Sequence, residues 1–130
     1  MLRLVKILNA NNQYEVAKLK YNTSATIKPG CALSCSSGVL LSATNTATPD
    51  YVALSSNDDQ SVKTIDAILV TEDMIFKVEY TGTTTPYVGM PVGLATGKYK
   101  MDSVTQNSSG KGVIVELDDD KKLVYVRFRR

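Results

Sequence analysis

The chain has 130 residues, with 15 basic and 13 acidic side chains, no histidine and a net charge of +2. That length supports one ordinary domain without cross-links, and the scattered charges form no basic stripe of the kind that neutralises phosphates, so no nucleic-acid partner is expected. No apolar run approaches the ~18 residues of a membrane span, and the mixed opening Met1 to Leu8 lacks the apolar core of a secretory signal, so the chain reads as a soluble protein made in a cytoplasm, with no membrane partner.

Short apolar runs alternate with Gly, Asn, Asp, Ser and Thr clusters from end to end, and no segment holds helical periodicity over three turns. The pattern predicts an all-β domain over 1–130, a small β-barrel or β-sandwich with short hairpins and at most one short helix. Leu2 to Leu8 and Tyr14 to Tyr21 are predicted to pair across Asn9 to Gln13, since Asn tolerates tight turns; a short helix from an Asn12 cap through Lys20 is the competing reading. Cys31 and Cys35 lie in an extended segment, about 13 Å apart at ~3.3 Å per residue, too far for a disulfide. Ser42 to Asp50 is made almost wholly of small polar residues and predicts an exposed loop.

Ile65 to Val70 is more continuously apolar than the strand that follows and suits a strand covered on both faces, with Thr71-Glu72-Asp73 as its connection to the next. That next strand, Met74 to Tyr80, alternates Phe76, Val78 and Tyr80 with Lys77 and Glu79, one dry face and one wet. Near the end, Lys111 to Leu117 and Lys122 to Phe128 flank Asp118 to Lys121 as a hairpin. A shift of 59 residues also places Gly30, Leu33, Cys35 and Gly38 on Gly89, Val92, Leu94 and Gly97. Either a structural repeat or the shared punctuation of any two hairpins produces such a match.

The search for chemistry begins at Val92-Gly93-Leu94-Ala95-Thr96-Gly97-Lys98-Tyr99, which looks like a phosphate loop. Such a loop needs four residues between its glycines and a Ser or Thr after the lysine. Gly93 and Gly97 are separated by three, and Tyr99 takes the place of the hydroxyl ligand, so a turn between strands explains the glycines better. Asp118, Asp119 and Asp120 lack the alternate spacing of a calcium loop. Asp58 and Asp59 read as solvated loop acids in the same way. Without histidine there is no histidine-based nucleophile activation, and two thiols cannot complete a zinc site. Among acids available for carboxylate chemistry, Asp66, Asp73 and Glu79 are the candidates of a small hydrolase reading. The absence of Trp disfavours a carbohydrate- or cell-surface-binding β module, the alternative to the main reading below. No cofactor and no enzymatic activity are expected.

Ala67 to Val78, containing Thr71-Glu72-Asp73-Met74-Ile75-Phe76, is followed by Val88-Gly89-Met90-Pro91-Val92 and closes on Gly112 to Leu117 and Leu123 to Phe128. In this order of parts, over about residues 60 to 130, the chain resembles the small head-decoration, or capsid-stabilising, proteins of tailed bacteriophages. The resemblance implies a non-enzymatic structural protein that binds the phage major capsid protein on the outside of an assembled head, with self-association into a dimer or trimer. Its implied contact elements are an arm over 1–12, including Leu2, Leu4 and Lys6, which adds a strand to a partner's sheet edge, and Arg127, Arg129 and Arg130, which pair with shell carboxylates.

Overall fold

The computed structural model describes residues 1–8, 13–119 and 122–130. Among these it contains eleven strands and no helix: β1 (Arg3–Ile7), β2 (Val16–Tyr21), β3 (Ala32–Ser36), β4 (Val39–Ser42), β5 (Tyr51–Ala53), β6 (Thr64–Leu69), β7 (Met74–Tyr80), β8 (Pro91–Ala95), β9 (Ser103–Gln106), β10 (Gly112–Leu117) and β11 (Leu123–Phe128). The all-β class expected from the alternation is realised as two closed five-stranded barrels. The first runs β2-β4-β3-β5-β6 and closes through β6 on β2; the second runs β7-β9-β8-β10-β11 and closes through β11 on β7. Each contains one parallel pair, β2 with β4 and β7 with β9, and is otherwise antiparallel.

The two barrels are copies of one another. The starts of β3 and β8, the starts of β6 and β11, and the ends of β2 and β7 are related by the same shift of 59 as the glycines: residue 32 to 91, 64 to 123, Tyr21 to Tyr80. The hydrogen bonds repeat as well. Asn22 N donates to Leu40 O at 2.8 Å where Thr81 N donates to Val104 O at 2.9 Å, and Gly30 N donates to Ala53 O where Gly89 N donates to Ile114 O, both at 2.8 Å. Gly30 and Gly89 hold φ of +85° and +92°, a left-handed turn that glycine adopts without steric cost. The repeat is therefore structural rather than shared punctuation.

Hydrophobic side chains fill both interiors. Leu33, Leu40, Ile65 and Ala67 close the first, and the second is built on Phe76 and Phe128, whose ring centroids lie 6.1 Å apart at 60°. A tilted aromatic pair adds about 0.5–1.5 kcal/mol beyond its burial. One cluster continues out of the second barrel onto the outer face of the first, taking in Ala32, Ala43, Val52, Ile68 and Val70. β6 is covered fully on one face and in part on the other: Ile65 and Ala67 point into their own barrel, Ile68 points toward the neighbouring one, and Asp66 stays partly exposed beside Lys18.

Two loops tie the barrels together, and both differ in length between the copies. Ser37 and Gly38 alone join β3 to β4, whereas residues 96–102 join β8 to β9, and this longer loop offers Met101 O to Ala32 N at 2.9 Å. In return, the loop over 43–50 offers Asn45 O to Leu94 N at 3.0 Å. The expectation of an exposed loop over 42–50 is corrected here. Residues 44–46 are exposed, but Ala43 and Pro49 are buried, because the backbone rather than apolar mass docks the segment.

The expected hairpin between Leu2 to Leu8 and Tyr14 to Tyr21 does not form. β1 pairs antiparallel with β7, and β2 pairs with β4 and β6. Residues 16–21 are strand, which removes the helix alternative there; the turn positions Asn9 to Asn12 lie outside the described residues. The closing hairpin of β10 and β11 stands where the sequence placed it, with Asp120 and Lys121 outside the described residues.

A Cβ built on Gly93 would stand 2.4 Å from Asn45 O and 2.8 Å from Asn107 Nδ2. Gly93→Ala is therefore expected to push the 43–50 loop off the second barrel, at a cost of about 1–3 kcal/mol for overpacking. Thermal unfolding of the variant checks this; an unchanged midpoint would contradict the close approach.

Candidate functional site

The segment that imitates a phosphate loop is built around an anion of its own. Asp102, 1% exposed, accepts a hydrogen bond from Gly97 N through Oδ1 and one from Tyr99 N through Oδ2, each at 2.8 Å. The backbone amides that would cradle a phosphate are thus occupied by a carboxylate five and three residues ahead in the chain. Met101 takes a left-handed φ of 56° in the same turn, a conformation that the Asp102 contacts hold in place. Beside it Ser103 Oγ is buried without a hydrogen-bond partner among the described residues.

The other acids proposed for chemistry are dispersed. Asp66, on β6, accepts from Lys18 Nζ at 2.9 Å on the outside of the first barrel. Asp73 lies in the connection between the barrels and accepts from Thr71 Oγ1. Glu79, on β7, faces the amino-terminal ammonium at 3.4 Å. Asp58 is paired with Lys28, and that hydrogen bond holds its carboxyl below the usual range; Asp59 is lowered by bonds from the hydroxyl and backbone of Ser61. Asp118 pairs with Lys77 at 3.1 Å, which raises the lysine, and Lys77 also lies 5.7 Å from the centre of the Tyr125 ring. No group of three His, Cys, Asp or Glu among the described residues is placed to hold a metal ion.

The six residues expected to touch a shell occupy two places. Leu2 is 2% exposed and belongs to the core cluster, and Leu4 packs against it, so neither offers its side chain to a partner in this conformation; Lys6 is exposed. The reason is the pairing of β1 with β7, which turns the apolar side of the arm inward. At the other end, Arg127 Nε donates to Glu72 O, and Arg130 donates from Nη2 to Val70 O at 2.5 Å and from its backbone N to Glu72 Oε1 at 2.8 Å. Arg130 also faces Asp50 at 3.5 Å. These two arginines fasten the connection between the barrels. Arg129 is exposed, and its carbonyl accepts from Thr48 Oγ1.

Composition concealed the exposed apolar side chains. Tyr87 and Val88, adjacent in the loop between β7 and β8, are 49% and 60% exposed, and Tyr14, just before β2, and Val16, its first residue, are 52% and 51% exposed. In the sequence they resemble their buried neighbours. Only the barrel topology separates them.

The chain matches no protein-family model, and no curated protein shows significant similarity to it.

Two outcomes test these local readings. Asp102→Ala leaves two amide donors without a partner and is expected to cost about 1–3 kcal/mol, with faster hydrogen exchange at Gly97 and Tyr99; unchanged exchange there would refute the cradle. Cys31 is 2% exposed and burial pushes its thiol up, so in the native protein iodoacetamide should label the half-buried Cys35 first and Cys31 only on unfolding, as read by mass spectrometry.

Proposed function

We propose that this protein is a non-enzymatic virion component that binds the outside of an assembled phage head and stabilises it. The reading is supported by where the segments that resemble decoration proteins fall in the fold. These segments, from Thr71 to Phe76 through Gly89 to Val92 to the Val126-Arg127-Phe128 close, fall on strands of the second barrel and the connection that leads into it, and the first barrel repeats that topology. The molecule is then two copies of one small binding body, fused side by side. Two linked bodies engaging one lattice gain avidity without any single strong contact.

The surface is of a kind that suits such work. Many of its charged groups pair within the molecule, while apolar side chains stand out on both barrels, Tyr14 and Val16 on the first and Tyr87 and Val88 on the second. Aromatic anchors such as Tyr14 and Tyr87 carry a large share of the energy of protein interfaces once they enter a partner's pocket.

Mixing the purified protein with undecorated heads of its own phage, followed by electron microscopy, is expected to show added density on the outer shell and greater resistance of the heads to heat. Tyr87→Ser together with Val88→Ser should lower occupancy without unfolding the protein. Heads that stay bare with the unaltered protein would sink the proposal.

A further inference from the structure

The duplication exposes an asymmetry at one sheet edge. In the second barrel, Tyr80 N donates to Lys122 O, so alternate residues of β7 direct their backbone groups at β11, and Ile75 and Lys77 direct theirs to the opposite edge, where β1 lies. In the first barrel, Leu69 N donates to Glu15 O, so Val16 and Lys18 direct their backbone groups away from β6. Val16 and Lys18 are the 59-shift counterparts of Ile75 and Lys77. β4 meets this edge only at Lys20 and Tyr21, as β9 meets the other only at Glu79 and Tyr80. Among the described residues, no strand pairs with Val16 and Lys18 on that side. The side chains agree: Ile75 is half-buried, while Val16 is 51% exposed.

Charge distinguishes the two edges and selects the occupant. Where β1 begins, its ammonium faces Glu79; the counterpart of Glu79 is Lys20, which is exposed. An incoming strand in the first barrel therefore meets a lysine where β1 meets a glutamate. A second copy of residues 1–7 brings an ammonium, Arg3 and Lys6 against Lys18 and Lys20 and is repelled. We propose that the edge of β2 at Val16 and Lys18 receives an extended segment of a different protein, running antiparallel, with a carboxylate at its start for Lys20 and an apolar side chain beside Val16. Main-chain hydrogen bonds supply affinity and the side-chain pattern supplies specificity. The inference does not require that the segment belong to a capsid.

Nuclear magnetic resonance on the intact protein with two acetylated peptides tests it, and because no shell is present the outcome is separate from that of the head-binding assay. One peptide is residues 1–8 unaltered, the other the same with Met1→Asp and Arg3→Glu. The acidic peptide is expected to shift the amides of residues 15–20, to slow hydrogen exchange at Val16 and Lys18, and to bind about tenfold more tightly than the basic one, a preference that Lys20→Glu reverses. Equal affinities, shifts confined to another surface, or no shift with either peptide would overturn the proposal, the last meaning that Lys18 and Lys20 guard the edge against pairing. Slow exchange at Val16 and Lys18 in dilute free protein would show the edge already covered, and protection that grows with protein concentration alone would assign it to a second copy; both overturn it.

Discussion

The molecule depends on the mutual docking of its two barrels. A small five-stranded barrel has little interior, and each of these leaves apolar residues on its outer wall: Ala32, Val52 and Ile68 on one side, joined in a single cluster with the core of the other. Burying that wall contributes at roughly 25 cal/mol per Å² of apolar surface. The geometry of the seam is set by backbone groups at its margins, Leu94 N to Asn45 O and Ala32 N to Met101 O. Side-chain bulk is excluded at Gly93, so the strand β8 and the 43–50 loop meet main chain to main chain.

Departures from the repeat are concentrated where the copies meet. The extra residues of the β8 to β9 loop reach across to Ala32 and need a turn of their own, which Asp102 closes by accepting from Gly97 and Tyr99. The carboxyl-terminal arginines then fasten the connection at Val70 and Glu72 from the far side. A loop that reads in isolation as a ligand site is in this way explained by the need to join two similar bodies.

Local periodicity made part of this architecture legible. β7 and the β10–β11 hairpin could be read because their apolar and polar residues alternate and their turn signals are adjacent in sequence; β6 could be read because only Asp66 interrupts its apolar run. The glycine matches around Leu33 and Val92 carried the repeat, since turn conformations persist where side chains diverge. What could not be read was pairing at a distance. Nothing in Leu2 to Leu8 indicates that its partner lies at Met74 to Lys77 rather than beyond the next turn. Nor does the composition of residues 42–50 show that Asn45 is a docking point, because a carbonyl oxygen makes that contact and every residue has one. The arginines at the end were legible as hydrogen-bonding groups, but not the inward direction in which Arg127 and Arg130 point.

The position of β1 also orders events in time. During synthesis residues 3–7 emerge before all five strands of the first barrel, yet their partner Met74 to Lys77 opens the second. Until it appears, β1 has no strand to pair with, although Leu2 N can already donate to Gly30 O, and the first barrel offers, at Val16 and Lys18, an edge that no described strand covers. Non-local pairing of this kind is slow to form and vulnerable to wrong partners while it waits. The exchange of Glu79 for Lys20 between the copies makes the earlier edge electrostatically less suitable for the basic arm, so the strand that precedes both barrels is kept for the second.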